Sequence, residues 1–156
     1  MLGPLQMLYL VETMPLTMRA VLAHSQEKRF EFPLAIQMFT YTFLCMRWMR
    51  TGKLFKWCNS HGSPIDVFNL AYKGAFLAFA FQYIKESHDI KSINILGQGV
   101  EAEAAKQGVR EYCEELAELE DQDAVSMIKD LKNQAHRDRL QKLQQENHFE
   151  VQQRKP

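Results

Sequence analysis

Four cations and three aromatic rings fall within eleven residues, Arg47-Trp48-Met49-Arg50-Thr51-Gly52-Lys53-Leu54-Phe55-Lys56-Trp57, and no Asp or Glu occurs from Pro33 to Ile65. These residue types suit a nucleic-acid strand. Arg47, Arg50, Lys53 and Lys56 would neutralise phosphates, while Trp57 or a neighbouring ring stacks on a base. A purely structural account covers part of the run, because Arg47 and Arg50 fall in the last turn of an expected helix, where the macrodipole favours cations, and the aromatics can serve as core. It does not reach Lys53 and Lys56, which follow Gly52 and are expected on an exit loop. Lys28 and Arg29 in the polar segment 24–32, with Arg137 and Arg139 near the C-terminus, extend the basic set.

Other spacings carry less chemistry. Cys58-Asn59-Ser60-His61 has the ligand-like CxxH spacing, but a structural zinc site needs about four ligands and no second CxxC or HxxxH completes it. His88-Asp89 is similar to the His-Asp pair of the HD-domain metal phosphohydrolases, an all-helical family, with His24, His61, Asp121, Asp123 and Asp130 as further ligand types. Lys91 stands where that family has glycine. The segment Ile93 to Ala102 reads as a short strand running into GxGxxA and a helix, the opening of a dinucleotide fingerprint. No second β-branched run follows, so a glycine-hinged turn between two helices is the preferred reading. No GxSxG motif, Walker lysine or helical carboxylate pair with a partner base is present. Glu114, Glu115, Glu118 and Glu120 read as a solvated face. No catalytic residue, metal or cofactor is expected.

The elements that must position the basic cluster read as helices. About Leu5 to Ala23 is nearly all apolar, and Pro15 should break it. Residues 24–32 form a connecting loop. From Leu34 to Arg50 the residues Gln37, Thr40, Leu44, Arg47 and Thr51 mark one narrow wet stripe on an otherwise apolar helix, ended by Gly52. Ser63-Pro64-Ile65-Asp66 combines an N-cap serine, a proline at the first helical position and an acid in the first turn, opening a helix to about Lys85. Ala71, Gly74, Ala75 and Ala78 give it a small-residue face. These two helices are expected to form the hub. Amphipathic helices follow over about 100–120 and 123–143, and from residue 144 the apolar period is lost.

Length and composition fit this reading. The 156 residues, 46% hydrophobic with seven Gly and five Pro, suit one all-α domain over 1–145, a compact bundle of about five helices, with a flexible, disordered basic tail over 146–156. Nineteen Lys and Arg balance nineteen Asp and Glu, yet the charges are segregated. Residues 1–58 hold seven basic and three acidic side chains, 101–130 hold three and ten, and 131–156 hold six and three. The odd, scattered Cys45, Cys58 and Cys113 suit reduced thiols and hence the cytoplasm. The apolar stretch 65–84 contains Asp66, Asn69 and Lys73, which argues for a buried helix and against a membrane partner.

A small, roughly five-helix chain with one basic cluster and no catalytic residues resembles the small subunits of class 1 CRISPR interference complexes, the Cascade type. That resemblance rests on size, helicity and the basic cluster. Met1, Met7, Met14 and Met18 crowd its opening apolar helix, as in a subunit translated from an internal start and equal to the C-terminal domain of a large subunit. The resemblance implies antiviral defence in a ribonucleoprotein effector complex, with several copies holding guide RNA, target or displaced DNA by its backbone beside other protein subunits. The competing expectation is a helical adaptor without nucleic acid, docking on protein through its apolar N-terminal segment and its acidic belt. An HD-type phosphohydrolase stands third.

Overall fold

Proline and glycine set most of the boundaries. The computed structural model describes residues 2–27, 31–86 and 93–153. In chain order the helices are α1 (Leu2–Thr13), α2 (Pro15–Ser25), α3 (Leu34–Arg50), α4 (Phe55–His61), α5 (Pro64–Glu86), α6 (Ile93–Gln107), α7 (Val109–Glu118) and α8 (Asp121–Gln153). No strand occurs among the described residues. The fold is all-α, but with eight helices among the described residues where the sequence suggests about five. Pro15 divides α1 from α2 as expected. Two other divisions are new: α4 follows the Gly52 stop, and Gly108, at φ 99°, separates α6 from α7.

α5 is the hub. Fourteen of its 23 residues are buried, and α1, α3, α4, α6, α7 and α8 all touch it. Its small-residue face works at Gly74, where a Cβ would collide with the Cys113 carbonyl oxygen, so the backbone of α7 comes closer there than a side chain would allow. Its larger side chains build a ring network. Tyr41 meets Phe79 at 5.4 Å between centroids, and Phe32 meets Tyr83 at 4.6 Å. Burial pushes the Cys113 thiol up to about 12 and raises the Cys45 thiol well above its ordinary value.

The expected partner hub, α3, is only half inside. Gln37 and Leu44, read from the sequence as part of its wet stripe, are buried, while Ile36, Phe39 and Phe43 face outward. The stripe is rotated because α1 and α5 take the side of α3 that carries Met38, Tyr41, Cys45 and Trp48.

Polar links tie distant segments together. Met14 offers α2 no side-chain cap; Asp121 supplies one from the start of α8, accepting the Leu16 and Thr17 N–H groups at 2.8 Å each. The Thr17 hydroxyl donates back to the Asp121 carbonyl at 3.2 Å. Beside them the Lys73 ammonium, buried in α5, donates to the Leu119 carbonyl at 2.8 Å. Burial lowers the Lys73 pKa, and Asp121 partly opposes that shift.

α8 differs most from its sequence reading. Ala124 and Ile128 are buried, but from residue 133 to 146 only Ala135 and Arg139 are partly covered. The helix nevertheless continues to Gln153, through positions where loss of periodicity suggests a flexible tail. Gln, Glu, Lys, Arg and Leu dominate this stretch and all favour helix without tertiary cover. Residues 154–156 lie outside the described residues.

Candidate functional site

The basic cluster sits on the corner between α3 and α4. Gly52, at φ 76°, lets the Gly52 N–H reach the Met49 carbonyl at 3.1 Å and the Lys53 N–H reach the Trp48 carbonyl at 2.9 Å, which is a Schellman stop. The chain then turns directly into α4, so Lys56 lies on a helix and not on an exit loop. Leu54 and Trp57, three residues apart, point inward at 0% and 2% exposure and pin α4 to the core. Lys53, Phe55 and Lys56 point outward.

This geometry divides the set that the sequence groups together. Trp57 and Trp48 are core side chains, so neither ring is presented for stacking, and Phe55 is the exposed aromatic of the corner. Arg47 forms an ion pair with Glu101 of α6. Arg50 lies at the other flank of α3, against a groove bounded by Leu2 of α1 and Ile65 of α5. Arg50, Lys53 and Lys56 make no ion pair with any described residue. Arg137 is exposed on α8, a helix that packs on α2 and α5, and Arg139 lines a crevice there with His24, Glu27 and Lys132. Lys28 and Arg29 lie outside the described residues, as do His88 and Asp89 of the HD-like pair.

The remaining motifs do not assemble a reactive centre among the described residues. The GxGxxA glycines lie inside α6, whose helix starts at Ile93; Gly97 faces the Tyr41 hydroxyl, and the hinge expected here falls at Gly108. Cys58 and His61 both belong to α4, and no group of three or more His, Cys, Asp or Glu is placed to hold a metal. Arg110 clamps Glu114 through Nε and Nη2 and reaches the Ser60 hydroxyl at 3.3 Å, so part of the acidic belt is engaged in local pairing.

A second surface is larger. On α1 the side chains of Leu5, Leu8 and Val11 are 63%, 51% and 51% exposed. On α3 Ile36 and Phe43 are 60% and 68% exposed, and the Phe39 ring lies against Gly3, on the side of α1 that carries the buried Gln6 and Leu10. The sequence signals the α3 part through the i, i+3, i+7 spacing of Ile36, Phe39 and Phe43, which periodicity alone assigns to the core.

Comparison with known proteins adds no relative: no family model, curated protein or solved structure matches the chain. No described helix is long and apolar enough to cross a membrane.

Proposed function

We propose that this chain is a non-catalytic helical assembly subunit that pairs with a second copy of itself through the outer faces of α1 and α3. The observation that carries this reading is the pair of exposed apolar faces on α1 and α3. Leu5, Leu8 and Val11 on α1 and Ile36, Phe39 and Phe43 on α3 are large apolar side chains left exposed on two neighbouring helices. A standard interface covers about 800 Å² on each partner, a little over half of it apolar, and exposed side chains of this kind are what such an interface buries. α1 carries no Lys or Arg, and Glu12 is its one charged residue, so two copies of the face meet with little repulsion. A net charge of zero also favours self-association.

Sedimentation equilibrium tests this. The wild type should dimerise below roughly 100 μM, and Leu8→Glu and Phe43→Glu should each weaken the dimer at least about tenfold while leaving helicity unchanged. A wild type that stays monomeric over that range overturns the reading.

A second reading has its own support in Arg50, Lys53 and Lys56, which make no ion pair with any described residue, and in the exposed ring of Phe55. Arg50, Lys53 and Lys56 would meet the phosphate backbone of a single strand, with Phe55 stacking on a base. In a complex where copies line a guide or target strand, as in the Cascade-type small subunits that the chain resembles, pairing and strand contact are compatible. Three contacts at about 0.7 each give a slope near 2, so raising salt from about 50 to 200 mM should weaken binding roughly 15- to 20-fold. Arg50→Gln, Lys53→Gln and Lys56→Gln together should abolish that dependence. An unchanged slope removes nucleic acid as a partner of this corner.

A further inference from the structure

We infer that the cleft between α3 and α6 binds an uncharged nucleobase, as the free base or the nucleoside. The cleft has a volume of about 480 Å³. Small-molecule sites fall in the range of about 300–1,000 Å³. Two polar side chains on its walls are left unanswered by the fold. Gln37 is 8% exposed, yet its amide makes no hydrogen bond to any described residue. Tyr41 is 1% exposed, and its hydroxyl has no partner among the described residues either. Buried polar groups are nearly all paired in folded proteins, so two unpaired ones on one cleft mark a place where a ligand completes the bonding. The Tyr41 hydroxyl lies beside Gly97 of α6, which lines the same cleft and sets no side chain against an approaching molecule. Its oxygen is closed to water, and a slight outward shift of α6 at that glycine opens it.

The lining decides the ligand. Gln37 and Tyr41 are uncharged, and the two charged residues of the cleft, Arg47 and Glu101, engage each other in an ion pair. The cleft therefore offers no net charge to a phosphate or an ammonium group. An amide presents a donor and an acceptor side by side, and its complement is the same pair on the edge of a planar heterocycle. The N6 and N7 atoms of adenine meet a glutamine in this way. Phe43 and Ile93 supply an apolar wall for the face of such a ring. An aliphatic ligand would leave both buried polar groups unmet. Phe43 also belongs to the pairing face, so a second copy would narrow the mouth of the cleft, but binding does not rest on self-association.

Titration calorimetry in the Leu8→Glu variant, whose weakened pairing leaves Phe43 uncovered, tests the assignment. Adenosine should bind one per chain and about three- to tenfold tighter than purine riboside, which keeps the rings but lacks the amino group; one neutral hydrogen bond is expected to make that difference. Adenosine monophosphate should bind no tighter than adenosine. Adding Gln37→Leu should make the two nucleosides bind alike, with the thermal midpoint unchanged or higher because a buried unpaired amide is removed. Tyr41→Phe should weaken adenosine severalfold. Gly97→Leu, a change that a helix favours, should fill the cleft and abolish binding with helicity retained. No saturable binding of adenosine up to about 1 mM, which would leave the cleft to water, overturns the proposal. So does a clear preference for the monophosphate, an adenosine preference that survives Gln37→Leu, or binding that survives Gly97→Leu. Pairing is read separately by sedimentation of the wild type, so its failure would leave these outcomes unchanged.

Discussion

α1 and α5 are both apolar nearly all round, yet they end in opposite situations. Around α5 the chain supplies six neighbours, and the helix buries more than half its residues. α1 buries only Gln6 and Leu10. A helix that is hydrophobic on every side needs cover on every side. The contrast teaches that one sequence signal can mark a core that the chain completes itself or a face that another molecule must complete.

Gln6 sharpens the contrast, because its amide is buried with no hydrogen-bond partner among the described residues. α1 is thus poorly rewarded on its inner side and uncovered on its outer one.

Substitutions can break this comparison, beginning with the largest effect. Phe76→Ala in α5 should destabilise by about 3–5 kcal/mol, read as a lower denaturation midpoint, since the ring is fully enclosed. An unchanged midpoint would remove α5 as the hub. Gly74→Val should cost about 1–3 kcal/mol by forcing α7 away at Cys113, and a crystal structure of the variant should show that displacement.

Asp121→Asn should cost about 1 kcal/mol through the cap it gives α2, and hydrogen exchange should quicken in α2 before it does in α5. The same carboxylate sets a pH dependence. Burial would raise its pKa, but the hydrogen bonds from Thr17 and Leu16 and the nearby Lys73 charge outweigh that and hold it below the ordinary value. Its contribution is therefore complete above an unfolded-state pKa near 3.9 and is lost as the pH falls through the lower folded value. Acid titration of wild type against Asp121→Asn should converge there.

Gln6→Met should raise stability by about 1 kcal/mol, because it removes a buried polar group that has no partner among the described residues. The smallest expected effect is at Leu5→Gln. It should shift the unfolding free energy of the monomer by no more than about 0.5 kcal/mol, while self-association falls severalfold. If Leu5→Gln instead unfolds the chain, α1 belongs to the core and the pairing face is wrong.

Much of the framework is legible in local chemistry. Pro15, Gly52 and Ser63-Pro64 place three boundaries correctly; the Ser63 hydroxyl accepts the Asp66 N–H at 3.4 Å. The small face of α5 is legible too, because Gly74 has no other use in a helix interior. α4 was hidden because seven residues carry too little periodicity, although the Leu54 and Trp57 spacing marks it in retrospect. The outward turn of α3 was hidden for a different reason: a period shows that a helix has faces, and only neighbours distant in sequence decide which one is covered. The basic cluster illustrates both limits. Its cations and Phe55 lie at the surface as a cluster should, but burial takes Trp57 out of it, and Glu101, 54 positions after Arg47, takes up that arginine.

The closure of α7 on Gly74 also gives the molecule an internal clock. Cys113 lies under that crossing, Cys45 is equally enclosed on α3, and Cys58 on α4 is half-buried. Alkylation requires the sulfur to reach the reagent as a nucleophile, so the two buried thiols can be modified only during excursions that part the helices, while the half-buried Cys58 is open to reagent in the folded state. The order in which three natural thiols acquire label therefore records how often the hub opens, with no probe added to the chain.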